Sequence, residues 1–241
     1  MRARALLRTA LFRYGFDTRN RHAAAARLLR RELPDGPGPV LLDVGCGPEG
    51  MATFLPDAEV VGVDLTPPDS ELPNRRFVEA SIAELPFEDR SFPYVSCIDV
   101  LQELPEDVRS RGIAEMLRVA RDGVVIAAPQ GEVADRSDAE YERALRVRGV
   151  TVPPWVLASR ANPYPTVAEV LSAIRESAQD AQVTVTYGEP VSLSDLVRGA
   201  AVRSRALYAL VNLGLGLTAP VFPDPGPHTG YRMLVVVRLV C

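Results

Sequence analysis

Apolar and polar positions follow two periods along this chain. Short apolar runs at 40–42, 58–64, 94–99, 123–129 and 231–240 are rich in Val, Leu and Ile, as expected of strands covered on both faces. The segments 76–80 and 182–188 complete the set. In the latter, Val183, Val185 and Tyr187 alternate with Thr184 and Thr186, the pattern of a strand with one wetter face. Between the strands the period lengthens. Ala3, Leu7, Leu11 and Tyr14 recur at helical spacing, as do Ala24, Leu28 and Leu29, predicting helices over 2–14 and 20–32 broken at Gly15 and Asp17. Val108, Ile113, Met116, Leu117 and Ala120 line one side of a helix over 105–120. Further helices are predicted at 49–55, at 138–148, after Thr166 (with Glu169 completing a capping box), and from Ser192 to about 213. Strands alternating with helices imply an α/β fold with a mostly parallel sheet and helices on both faces.

The first strand runs into a glycine loop, Asp43-Val44-Gly45-Cys46-Gly47-Pro48-Glu49-Gly50. Gly45 and Gly47 allow backbone angles that other residues resist, and let a ligand approach the main chain closely. Pro48 suits a first helical turn. A strand, glycine loop and helix start together aim backbone N–H groups at a nucleotide-type ligand. The spacing Gly45-x-Gly47-x-x-Gly50 also satisfies the dinucleotide fingerprint. Asp43 separates the two uses: a carboxylate there sits awkwardly beside a pyrophosphate, but suits a ligand with a cationic amino group. Asp64 closes the second strand roughly 20 residues after Gly45, where an acid accepts hydrogen bonds from ribose hydroxyls.

Asp43-x-Gly45-x-Gly47-Pro48 resembles the first motif of class I S-adenosylmethionine-dependent methyltransferases. The resemblance implies that Asp43, Gly45, Cys46 and Gly47 wrap the methionine part of the cofactor, that Asp64 holds the ribose and that Leu65 lies against the adenine. The run from Ser81 to Phe92, with its Leu85-Pro86-Phe87 and Ser91-Phe92 landmarks, is similar to the family's segment after strand three. Ser81 stands where relatives commonly have an Asp for the adenine amino group; Ile82 would supply a backbone N–H and an apolar contact. Asp99-Val100-Leu101-Gln102-Glu103-Leu104-Pro105 matches the fourth motif, whose usual form ends Glu-His-Leu. Asp99, Gln102 and Glu103 are therefore the candidate catalytic residues, and Asp99 is also a cofactor candidate. Pro93 replaces a common Asp, and Arg121-Asp122-Gly123 replaces a common Pro-Gly-Gly turn. The resemblance covers roughly 38–129 by motif and 182–240 by topology, and it implies a seven-stranded, Rossmann-like sheet whose last strand runs antiparallel to the others. It implies methyl transfer to a small molecule or glycan-type metabolite, with S-adenosylhomocysteine as product.

Composition narrows the alternatives. The chain has 241 residues, 47% hydrophobic, enough for one large domain. The division expected is N-terminal helices over 1–37, packing on or capping the core, then a domain over 38–241 with insertions near 130–165 and 190–230. The first insertion carries Trp155 among prolines and reads either as a substrate lid or as a packed excursion. No apolar run of ~20 residues is uninterrupted, and Arg8 and Arg13 break the N-terminal apolar stretch, so a cytoplasmic location is the default. Cys46, Cys97 and Cys241 are too scattered for a metal site or a disulfide framework. All 27 basic residues are Arg, and net charge is −4, which disfavours nucleic acid as the partner. Residues 1–31 nevertheless carry nine Arg against Asp17 alone. Their face reads either as an anion or peripheral membrane contact, or as the solvated side of packing helices. The apolar stretch 206–217 reads as cap, homodimer face or membrane contact. His22 and His228 are further candidates at the site mouth. Two other functions stay open: an adenosylmethionine-fold scaffold without catalysis, suggested by the altered motif positions, and an NAD-dependent oxidoreductase.

Overall fold

The computed structural model describes residues 15–33, 40–48, 50–68, 71–218 and 224–240. The expected helix over 2–14 and Cys241 lie outside them. A short helical lead-in, Phe16–Thr18, passes through a π-helical turn, Arg19–Ala23, into α1 (Ala24–Glu32). Five strands then follow with their crossovers: β1 (Val40–Val44), β2 (Glu59–Asp64), β3 (Arg75–Glu79), β4 (Phe92–Ile98), α2 (Glu106–Val119) and β5 (Ala120–Pro129). The remainder comprises α3 (Gly131–Val147), α4 (Pro154–Ser159), α5 (Val167–Ser177), β6 (Gln182–Tyr187), α6 (Val191–Arg203), α7 (Arg205–Thr218) and β7 (Arg232–Arg238).

The seven strands order as β3-β2-β1-β4-β5-β7-β6. β1 to β5 pair in parallel, and β7 runs antiparallel to both β5 and β6. This is the expected sheet, with its reversed last strand inserted between β5 and β6. Strand periodicity sorts the core into two layers. Leu42 and Val44, Val61 and Val63, Val95 and Cys97, Val124 and Ile126 face α2 and α5, through Ile113, Met116, Val170 and Ile174. Leu41, Val60, Tyr94, Val125 and Ala127 face the other way, onto Ala25, Ala26 and Leu29 of α1. Leu29 is fully buried, so truncating it to Ala should cost ~2–5 kcal/mol.

The Arg-rich face of α1 divides. Arg27, Arg30 and Arg31 are exposed, as a solvated face requires, while Arg21 on the preceding turn points inward. The capping box at Thr166 forms: its hydroxyl accepts from the Glu169 N–H at 3.1 Å, and the Glu169 carboxylate reaches back to the Thr166 N–H at 3.4 Å. The helical region from Ser192 differs from expectation. Its helix begins at Val191 after Pro190 without a side-chain cap, and Ser204 in extended conformation splits it into α6 and α7. Asp195 does not cap; it accepts from Ser137 on α3 at 2.5 Å. In the region expected to carry an insertion, α3 and α4 form, and α3 and α7 both pack on α6. Among the described residues no helix is long and apolar enough to cross a membrane.

Candidate active site

The carboxyl ends of β1, β2, β4 and β5 meet at one edge of the sheet, where open α/β folds receive ligands. The glycine loop leaves β1 and crosses to β2: the N–H groups of Gly45 and Cys46 both donate to the Val63 carbonyl, at 2.7 and 3.1 Å. Gly45, Gly47 and Gly50 all have positive φ (71°, 55° and 43°). At Gly45 a Cβ would lie 2.1 Å from Val100 Cγ2, and at Gly50 it would lie 2.5 Å from Asp43 Oδ2, so both positions are sterically closed. Gly47 has open space around it.

Asp43 lies beneath this loop and is 2% exposed. Its Oδ2 accepts the Met51 N–H at 2.8 Å, and its Oδ1 accepts the Ser96 hydroxyl at 2.7 Å. Burial pushes the carboxyl up to about 6, against the pull of those two hydrogen bonds. Asp64 takes the Gly47 N–H on Oδ2 at 2.9 Å and the Leu65 N–H on Oδ1 at 2.7 Å. The two acids expected to touch cofactor therefore also shape the loop that would hold it. Arg75 adds a third tie, donating to the Gly47 and Pro48 carbonyls at 3.3 and 2.8 Å. Cys46 is a buried free thiol packed against Gly62.

Leu65 is 66% exposed at the loop mouth. Ser81 begins a turn: its Oγ accepts the Ala83 N–H at 3.2 Å, and its backbone bridges to Glu84. Ile82 is buried in the core against Gly112, so its side chain supports this turn from below.

Asp99 follows β4 with φ of 57°, a left-handed conformation that Asp tolerates better than most residues. Its carboxylate receives two parallel hydrogen bonds from Arg232, Nε to Oδ1 at 2.8 Å and Nη2 to Oδ2 at 2.9 Å. Arg21 adds a contact from Nη1 to Oδ2 at 3.2 Å. Burial alone would raise Asp99, but the Arg232 and Arg21 guanidiniums outweigh it and hold the carboxyl below its ordinary range. Asp99 is thus a fixed anion and a poor proton acceptor. Arg232 is itself 2% exposed, and its Nη1 also pairs with the buried Glu189. In sequence Arg232 lies within the final strand, where its one signal is a charged residue near the start of an otherwise apolar run.

Gln102 and Glu103 sit on a single 3-10 turn, Leu101–Glu103. Gln102 is 4% exposed; its Nε2 donates to the Asp99 carbonyl at 2.7 Å, and its Oε1 has no donor among the described residues. Glu103 is exposed. Partial burial and the nearby Asp99 and Asp64 carboxylates raise its carboxyl above the ordinary value. Of the three candidate catalytic residues, Glu103 therefore has the chemistry of a base. His22 is held neutral: burial and Arg21 lower it to about 4, and its ring stacks on Phe54 with centroids 5.3 Å apart. His228 is exposed on the loop before β7.

A cavity of about 570 Å³ opens beside Asp99, Gln102 and Glu103. Its walls come from the lead-in to α1 (Phe16, Arg21), from α3 and α4 (Tyr141, Trp155), from α6 and α7 (Arg198, Tyr208), and from Tyr231 and Arg232. Behind it lies a buried polar network. Arg198 pairs with Asp138 at 2.5 Å and donates to the Tyr231 hydroxyl at 2.6 Å; Tyr231 donates to Asp138 at 2.9 Å, and Tyr164 to the other Asp138 oxygen. The expected lid segment thus supplies one wall of the cavity. Among the described residues no cluster of His, Cys, Asp and Glu is arranged to hold a metal ion.

Residues 42–128, from the first strand through the fifth, match a family described as a methyltransferase domain. This stretch carries a methyltransferase domain. The chain is 34% identical over 107 residues to the demethylmenaquinone methyltransferase of Chlorobaculum tepidum, covering 41% of this chain and 43% of that protein. It is 29% identical over 130 residues to an uncharacterised methyltransferase of Schizosaccharomyces pombe, covering 44% and 45%. The chain spans less than half the length of these curated relatives. A SAM-dependent methyltransferase from Thermotoga maritima shares the fold, with a TM-score of 0.57 at 14% identity over 91% of this chain and 90% of that one.

Proposed function

We propose that this chain binds S-adenosylmethionine on the glycine loop and transfers its methyl group to a small molecule held in the adjoining cavity. The observation that carries the reading is the shared border. Asp99 and the Gln102–Glu103 turn line the 570 Å³ cavity, and they stand at the same sheet edge as the Gly45–Gly47 loop. When bound, the cofactor supplies a sulfonium-activated methyl group whose leaving group is a neutral thioether.

The residues present fit such a group. Gly47 leaves the loop open to close main-chain approach, Gly45 and Gly50 let it fold tightly over its support, and the Asp43 carboxylate underlies it, near where a cationic amino acid tail would sit. Asp64 is placed for ribose hydroxyls, Leu65 offers an exposed apolar face for adenine, and the Ser81–Ile82 turn borders the same end of β3. For the acceptor, the chain's part is to position and to exclude water, which carries much of the rate in such a transfer. Phe16, Tyr141 and Trp155 contribute aromatic surface to the cavity wall. Glu103, raised by partial burial and by its acidic neighbours, is the group to take a proton from an O–H or N–H acceptor.

Calorimetric titration with S-adenosylhomocysteine tests the reading. Saturable binding at one site, lost when Gly45 is replaced by Ala, is the result expected. No heat and no thermal shift in the wild-type chain would favour a scaffold instead, and binding of NADH in its place would favour an oxidoreductase.

A further inference from the structure

Among the described residues, most of the exposed large apolar side chains fall in two stretches, both of which also help to wall the cavity. Val147, Val150, Trp155 and Leu157 lie between the end of α3 and α4, and Val147 is 81% exposed. Leu210 and Leu217 lie on α7, and Leu210 is 72% exposed. At 3.6 residues per turn, these two leucines stand on the side of the helix opposite Tyr208 and Asn212, which line the cavity. So α7 turns one face to the cavity and a leucine face to the outside.

Charge follows the same two stretches. Residues 143–168 carry four Arg and no acid, and residues 196–218 carry three Arg and no acid. Three of these are held by carboxylates: Arg146 by Glu142, Arg160 by Asp135 and Arg198 by Asp138. The other four, Arg143, Arg148, Arg203 and Arg205, are exposed, and none pairs with a carboxylate among the described residues. The stretches are also neighbours in space, because Arg148 and Arg203 line one groove between α3 and α6. Glu140 and Asp195 border that groove too, and Asp195 already accepts from Ser137.

Apolar side chains set among unpaired arginines select their partner. A second copy docked about a two-fold axis would bring the arginines of one protomer against those of the other. With 14 residues, α7 is shorter than the ~20 needed to cross a bilayer. A membrane surface satisfies both features at once. Leucine and valine enter the boundary of headgroups and acyl chains, arginine meets the anionic headgroups, and tryptophan sits at the level between.

We infer that the outer face formed by residues 147–157 and α7 docks on an anionic lipid surface, with α7 lying in its plane. Trp155 belongs both to this face and to the cavity wall, so docking brings that rim of the cavity to the lipid. The inference is independent of the methyl-transfer reading.

The test floats the full chain with vesicles of phosphatidylcholine alone, or of phosphatidylcholine with an equal part of phosphatidylglycerol. The anionic vesicles should bind at least about tenfold more tightly, and added salt should weaken that binding. Arg203→Gln with Arg205→Gln should lower the affinity roughly tenfold, and Leu210→Ser with Leu217→Ser several-fold. Arg76→Gln with Arg175→Gln, equally exposed but on β3 and α5, should change it by less than about twofold. No flotation with anionic vesicles overturns the inference, as does equal binding to both vesicle types. Binding that either the Arg203–Arg205 pair or the leucine pair leaves unchanged overturns it too, as does an equal loss in all three pairs. Light scattering covers the competing occupant: a wild-type dimer that Leu210→Ser with Leu217→Ser makes monomeric assigns the leucine face to a second copy and overturns the lipid assignment. The wild-type comparison of the two vesicle types is decisive whether or not a variant folds.

Discussion

Arg232 and Asp99, 133 residues apart in sequence, form a two-pronged ion pair at the edge of the sheet. The reversed last strand makes this geometry available. β7 runs antiparallel beside β5, with Arg232 opposite Pro129, so its first residue arrives at the ligand edge. The pair joins the last strand to the end of β4, and through Glu189 to the segment after β6.

Replacing Arg232 by Met should destabilise the fold by ~3–5 kcal/mol, because it leaves Glu189 as a buried carboxylate without its guanidinium and Asp99 with the longer Arg21 contact alone. Adding Glu189→Gln to that variant should recover part of the loss. Urea denaturation monitored by circular dichroism measures both; a loss under about 1 kcal/mol would show that the pair contributes little.

Asp43 gives a pH signature with a definite sign. Its carboxyl is raised from 3.8 to about 6 in the folded chain. Between pH ~4 and ~6 the unfolded chain gives up this proton while the folded chain retains it, so this group's contribution to stability is lost as pH rises. Asn at this position can still accept from Met51 and donate to Ser96, without the titration. Asp43→Asn should therefore gain on the wild type by about 3 kcal/mol between pH 4 and 7, at 1.36 kcal/mol per unit. Its affinity for S-adenosylhomocysteine should nevertheless fall about tenfold, because a charge under the loop is gone. Melting curves across pH and calorimetry at pH 7 check the two halves; a gap independent of pH would show that Asp43 titrates normally.

The glycines of the loop should differ among themselves. Gly45→Ala meets Val100 Cγ2 at 2.1 Å as well as a positive φ, whereas Gly47→Ala meets only the φ. The second should cost about 1–2 kcal/mol of stability, and the first clearly more. Binding of S-adenosylhomocysteine should be lost in Gly45→Ala and weakened in Gly47→Ala. Equal behaviour of the two would mean that Val100 moves aside freely.

Ser81→Asp should tighten S-adenosylhomocysteine binding several-fold. A carboxylate accepts more strongly than a hydroxyl, and it can keep the turn by accepting the Ala83 N–H as Ser81 now does at 3.2 Å. Weaker binding would place the adenine elsewhere.

The layers of this fold were largely legible beforehand because both of its periods are local. Val124 and Val125 face opposite layers, and β1, β2, β4, β5 and β7 lie where the apolar runs fall. The glycine loop was equally legible, since positive φ is a demand on single residues. Pairing across distance leaves no such local mark. Asp99 reads in sequence as an open acid after a strand, and only the arrival of Arg232 and Arg21 turns it into a fixed anion. Asp138, Tyr164, Arg198 and Tyr231 come from four segments, and no spacing announces their network. The break at Ser204 was hidden because the apolar stretch after it keeps helical period.

Trp155 is the chain's single tryptophan, and it sits half-exposed at the cavity rim against Tyr141. Light absorbed at the red edge of the protein spectrum therefore excites one indole, at one place. Its emission will shift to shorter wavelength when an occupant drives water from that rim. The protein thus carries its own dye, and a library of molecules can be screened against it without a label or an assay for turnover.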